Sequence, residues 1–167
     1  ISHQAALRNC GDLTEEFFTR MSPLANRIGQ YWIQLPATFG PRDLPALWQF
    51  LDALPREFAY GVEVRHPEFF AKGEAEKALN RGLLERSVNR VILDSRPVHS
   101  AVPHSEAIVE AQRKKPKVPV HAIVTARFRI CAATHSSGVA RIRRKLAHPF
   151  FPPRKREAAP SIAASLR

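Results

Sequence analysis

Two short segments of this 167-residue chain put a carboxylate two positions ahead of a guanidinium: Glu63-Val64-Arg65, followed directly by His66, and Asp94-Ser95-Arg96. Glu63 and Asp94 are 31 positions apart, as are Arg65 and Arg96, and Gln34 stands 31 positions before Arg65. Two carboxylates can divide acid and base roles when their surroundings push their pKa values apart, and arginines beside them suit an anionic or phosphorylated ligand. Glu63 and Asp94 are therefore the candidate catalytic groups, with Gln34, Arg65, His66 and Arg96 as candidate substrate-binding residues. The same doublets also read as ion pairs that order a strand end. Sequence alone leaves both readings open.

Other chemistries find no pattern. There is no Gly-rich phosphate loop, GxSxG elbow or CxxC. The histidines His3, His66, His99, His104, His121, His135 and His148 form no HExxH or similar pair, so no metal is assigned; His3 would be the best partner for His66 if ligands assembled from separate strands. No cofactor can be named. Cys10 and Cys131 make no spaced framework, which fits a reducing cytoplasm. No apolar run has the length of a membrane span, and the N-terminus lacks a signal-peptide layout. A cytoplasmic protein without a membrane partner is expected. The chain begins at Ile1 and its only methionine is Met21, which reads as an internal fragment.

A spacing of about 30 residues is that of one strand plus one crossover helix, so the elements that position these residues should be consecutive β/α units. Gln30 to Leu35, Tyr60 to Arg65 and Arg90 to Asp94 are the expected strands, the last rich enough in Val, Ile and Leu to be buried on both faces. Helices are expected over Asp12 to Arg27, with a capping box from Asp12 and Glu15, over Asp43 to Leu54, with Leu44, Leu47, Trp48 and Leu51 buried, over Glu74 to Arg86, with Leu79, Leu83 and Ala75 inward, and near Ser105 to Lys114. Arg113-Lys114-Lys115 at the end of that last helix complements the helix dipole. Val118 to Thr125 is a fourth strand or an extended lead into one.

Polar residues gathered at strand ends point to a (β/α) barrel, whose active sites lie at the C-terminal ends of its strands. A complete barrel needs about 200 to 250 residues. The expected fold is thus α/β, an incomplete TIM-barrel-like (β/α) fold holding central units only, over residues 1–126. Residues 127–167 lose the pattern and carry 10 Lys/Arg against one Asp/Glu, whereas residues 1–126 carry 16 against 14. They read as a disordered basic tail, one that an out-of-frame translation would leave. The charge of +11 therefore bears on nucleic-acid binding only through that tail.

Residues 1 to about 126 resemble the YecE-like family, also called domain of unknown function 72. The likeness is carried by Ile1-Ser2-His3, by Ile28 to Pro36 (IGQYWIQLP) with Phe39, by Gly61-Val62-Glu63-Val64-Arg65-His66-Pro67, and by Val91 to Pro97 (VILDSRP). The resemblance implies a TIM-barrel-like fold without an established activity, compared in shape with sugar isomerases and abasic-site endonucleases. It also implies early strands ahead of Ile1 and, after Thr125, an Arg-Phe-x-Gly strand that Arg127-Phe128 echoes without the glycine. The expectation is an uncharacterised barrel fragment without activity of its own. Its intact parent would bind an anionic sugar phosphate or nucleic-acid ligand at the barrel mouth; the alternative is a non-catalytic nucleic-acid-binding module.

Overall fold

The computed structural model describes residues 1–126 together with the backbone of residues 129–134 and 140–145. Five strands, β1 (Tyr31–Gln34), β2 (Tyr60–Glu63), β3 (Asn89–Asp94), β4 (Arg129–Thr134) and β5 (Ala140–Lys145), lie in one sheet in that order. β1 to β4 run parallel and β5 returns antiparallel. Between them come α1 (Gly11–Met21), ahead of β1, then α2 (Leu44–Asp52), α3 (Glu74–Glu85), and the pair α4 (Arg96–Ser100) and α5 (Glu106–Lys114). The mixed α/β expectation holds. The described sheet is open, with β1 and β5 at its edges, so barrel closure is not seen among the described residues.

Local sequence explains most boundaries. α1 starts one residue earlier than expected and Cys10, not Asp12, stands at its N-cap without a side-chain cap. Pro23 removes an amide donor, and Ser22–Arg27 tightens into a 3-10 turn where a continuous helix was expected. In α2 the apolar stripe buries Leu44, Leu47 and Leu51, while Trp48 lies over Gly82 of α3, where an added Cβ would come 2.5 Å from the indole. α3 buries Leu79 and Leu83 as its spacing requires, and also Glu76. After α3, Ser87 takes a left-handed conformation (φ 53°) and the Val88 amide bonds the Leu83 carbonyl at 2.9 Å, ending the helix.

β3 is buried from Asn89 to Leu93, as its composition required. Val118–Thr125 has no regular structure and serves as the lead toward β4. Thr125 ties it down: its hydroxyl donates to the Val88 carbonyl (2.6 Å) and accepts from the Arg90 amide (2.7 Å). The expected patternless tail needs correcting where β4 and β5 lie. Their segments, RICAAT and ARIRRK, lack a clean alternation. The rest of residues 127–167, including Arg127-Phe128, His135 and His148, lies outside the described residues. The core joins Leu35, Phe39, Leu47, Val62, Val64, Phe69, Leu79, Leu83, Val91 and Leu93. Among the described residues, no helix is long and apolar enough to cross a membrane.

Candidate ligand site at the end of the second strand

β1 and β2 pair with Gln34 directly beside Glu63. Side chains of adjacent paired residues stand on the same face of a sheet, and here they touch: Gln34 Nε2 donates to Glu63 Oε1 at 3.1 Å. Arg65, one pleat farther along the same chain, donates its Nε to the same oxygen at 2.8 Å. Glu63 is 2% exposed, so its charge depends on these two donors. A buried carboxylate is tolerated only when it is paired and hydrogen-bonded. Both donors converge on Oε1, and among the described residues none donates to Oε2. Arg65 is likewise anchored through Nε, and among the described residues its two Nη groups make no hydrogen bond; its side chain is 14% exposed.

His66 begins a 3-10 turn over Pro67–Phe70 and its Nδ1 accepts the Glu68 amide at 3.3 Å. The ring meets the edge of Phe69 (centroids 5.9 Å apart) and packs against Gly40. Gly40 leads into α2 through a loop that Asp43 fastens. One oxygen of Asp43 accepts the Gly40 amide (2.9 Å) and the other accepts from Arg8 (2.7 Å). The Arg8 bond leads the influences that hold the Asp43 carboxyl below the usual range.

Asp94 and Arg96 form a second doublet of different character. Asp94 Oδ1 accepts from both the Arg96 amide (3.1 Å) and Nε (2.9 Å), and Oδ2 accepts from Nη2 (2.8 Å). The Arg96 side chain bonding Asp94 leads the influences that lower its carboxyl from the ordinary value. The β2–β3 register sets Gly61 against Asn89 and Val62 against Arg90. Continued, it sets Glu63 against Val91, and Asp94 lies three positions farther on. Strand alternation then gives Asp94 the face of Arg90 and Ile92, the other side of the sheet from Glu63. The β1–β2 register, which sets Gln34 beside Glu63, thus brings Gln34, Glu63 and Arg65 together with His66 adjacent in chain. It does not bring Asp94 to Glu63.

A charged cluster that the sequence reading missed lies on the α3 side of β3. Arg90 Nη1 donates to Glu76 Oε1 (2.8 Å) and Asn80 Oδ1 (2.7 Å), and Nη2 to the Phe69 carbonyl (2.5 Å). His121 Nδ1 meets Glu76 Oε1 at 2.7 Å, and the amide of Lys72, left-handed at φ 57°, donates to Glu76 Oε2 at 2.8 Å. Burial alone would raise the Glu76 carboxyl. The bonds from His121, the Lys72 amide and Arg90 outweigh it and hold the carboxyl below its ordinary value. The one signal for this cluster was Arg90 itself, a charge opening a strand expected to be buried.

Metal ligation finds no arrangement of this kind. His3 is exposed and its Nδ1 meets only the Ser2 hydroxyl (3.2 Å). Among the described residues, no three His, Cys, Asp or Glu side chains gather around a common point.

Comparison with known proteins places the chain among relatives. A family model described as "Protein of unknown function DUF72" matches residues 1–157. "UPF0759 protein YecE" of Escherichia coli (strain K12) is 80% identical over 126 residues, covering 75% of this chain and 46% of that protein. Its namesake in Escherichia coli O157:H7 is 79% identical over the same shares. The chain spans about half the length of these curated relatives. No solved structure matches it.

Proposed function

Because the chain belongs to the DUF72 family, whose function is unknown, we propose a function from the β2 site: it binds a small anionic ligand, of which a sugar phosphate is the type, against Arg65 and Glu63. The observation that carries this reading is the asymmetry of the pair. Glu63 Oε1 holds Arg65 by Nε and Gln34 by its amide, which leaves Oε2 as an acceptor and both Nη groups as donors. A guanidinium offers paired donors to a phosphate or carboxylate, and a neighbouring carboxylate oxygen accepts a ligand hydroxyl. In the whole protein Glu63 then serves as general acid or base with Arg65 balancing ligand charge. Gln34 orients Glu63, and His66 contacts the ligand.

Asp94 and Arg96, bonded to one another on the other face of the sheet from Glu63, take no acid/base or ligand-binding part in this reading. The parallel order of β1 to β4, with helices between, supports reading the chain as central units of a TIM-barrel-like fold whose strand ends form the site. A reducing cytoplasm suits its two cysteines.

The test uses glucose 6-phosphate as probe at fixed ionic strength. Arg65→Gln, whose amide nitrogen takes the place of Nε as a donor to Glu63 while both Nη groups are lost, should weaken binding about tenfold to a hundredfold, the worth of a charge-assisted hydrogen bond, with the thermal midpoint lowered less than by removing that donor altogether. Equal loss of binding and stability would make the pair structural. The second reading, a non-catalytic nucleic-acid-binding module, is favoured by the 10 Lys/Arg of residues 127–167. It requires oligonucleotide binding that falls steeply with salt and is indifferent to Arg65→Gln.

A further inference from the structure

Two residues that the proposed site does not use decide what His66 can do in it. An amide N–H can only donate, so the Glu68 amide at 3.3 Å from His66 Nδ1 requires Nδ1 to carry the lone pair. In a neutral imidazole the other nitrogen then carries the proton. Nε2 has no hydrogen-bond partner among the described residues and is not among the sealed polar atoms. Its surroundings are set by Gly40. A Cβ on that residue would come 3.1 Å from Nε2, 3.2 Å from Cδ2 and 3.5 Å from Cε1. Three contiguous ring atoms at nearly equal distance mean that Gly40 lies over the ring face. An approach along the N–H direction would leave the two carbons clearly farther away than Nε2. The glycine therefore supports the ring without covering its donor edge, and a Cβ there would oblige the ring to give by a few tenths of an ångström.

We propose that Gly40 and the Glu68 amide are positioning elements that hold His66 as a neutral Nε2–H donor, so that His66 meets a ligand oxygen by hydrogen bonding and does not act as the site's base. The proposal deepens, and rests on, the reading of this site as a ligand site. It leaves the proton-accepting role to Glu63 Oε2. It also excludes Nδ1 as a ligand atom, since that lone pair is engaged by the backbone.

The experiment uses the 167-residue chain labelled with nitrogen-15 at histidine. The neutral His66 ring should show Nδ1 as the unprotonated and Nε2 as the protonated nitrogen, and Gly40→Ala should shift both signals. Glucose 6-phosphate affinity then separates two replacements. His66→Gln places an amide donor near the Nε2 position and should keep affinity within about threefold, whereas His66→Asn places it near Nδ1 and should lose about threefold to tenfold, the worth of one hydrogen bond. An Nδ1-protonated ring, unshifted signals in Gly40→Ala, or equal losses in the two replacements would overturn the proposal. If the wild-type chain fails to bind glucose 6-phosphate while the Nε2–H form and the Gly40 effect are both seen, the ligand reading falls and the arrangement of His66 stands.

Discussion

At the scale of residues, the two carboxylates that look alike in sequence have different surroundings. Glu63 is 2% exposed and shares one oxygen between Gln34 and Arg65; Asp94 is bracketed on both oxygens by Arg96. Removing Arg65 by Arg65→Met should leave Glu63 with Gln34 as its only donor. A loss of about 1 to 3 kcal/mol is expected, measurable by urea unfolding, and Glu63→Gln in that background should recover part of it. The trio of Gln34, Glu63 and Arg65 was legible because strand ends repeat at a nearly constant interval. Asp94 was misaligned by the same regularity, since the 31-residue spacing does not match the register that pairs Gly61 with Asn89. Nothing in the pattern disclosed Glu76, whose partners Arg90 and His121 lie 14 and 45 residues away.

At the scale of elements, α3 is held to β3 by both apolar and ionic contact. The Glu76 carboxyl is lowered in the folded state, so its contribution to stability is present above the ordinary carboxylate value of 4.5 and is lost as pH falls through the folded value. Urea midpoints should therefore be flat from neutral pH down to that range and fall below it. Glu76→Gln should start lower and decline less on acidification. Arg90→Met alone should cost about 3 to 5 kcal/mol because it strands a buried charge; combined with Glu76→Leu, the loss should shrink. Gly82→Ala tests the α2–α3 contact: the gain in helix propensity of about 1 kcal/mol is opposed by a Cβ 2.5 Å from Trp48, and a net destabilisation should appear in the thermal midpoint. These helices were legible from their apolar spacing. β4 and β5 were not, because ARIRRK presents cations where an alternating strand would present apolar residues.

At the scale of the molecule, one edge of the sheet is β1, and beside it α1 and the turn after it expose Leu13 (53%), Phe17 (41%) and Leu24 (48%). An open strand edge next to an apolar helix face favours association. Sedimentation of the 167-residue chain should show concentration-dependent growth, reduced by Leu13→Lys with Leu24→Lys; a monomer at all concentrations would speak against an uncovered face. The order of the parallel strands followed from the sequence repeat, and an open edge was expected from a length short of a complete barrel. The central claim is that the end of β2 is a ligand site, and it is tested most directly by titrating inorganic phosphate at constant ionic strength while following the Arg65 Nε–H and His66 ring signals by NMR. Saturable shifts at these two residues, with the His66 shift abolished in Arg65→Gln, are the expected result. Shifts that grow without saturation and concentrate on residues 127–167 would contradict it.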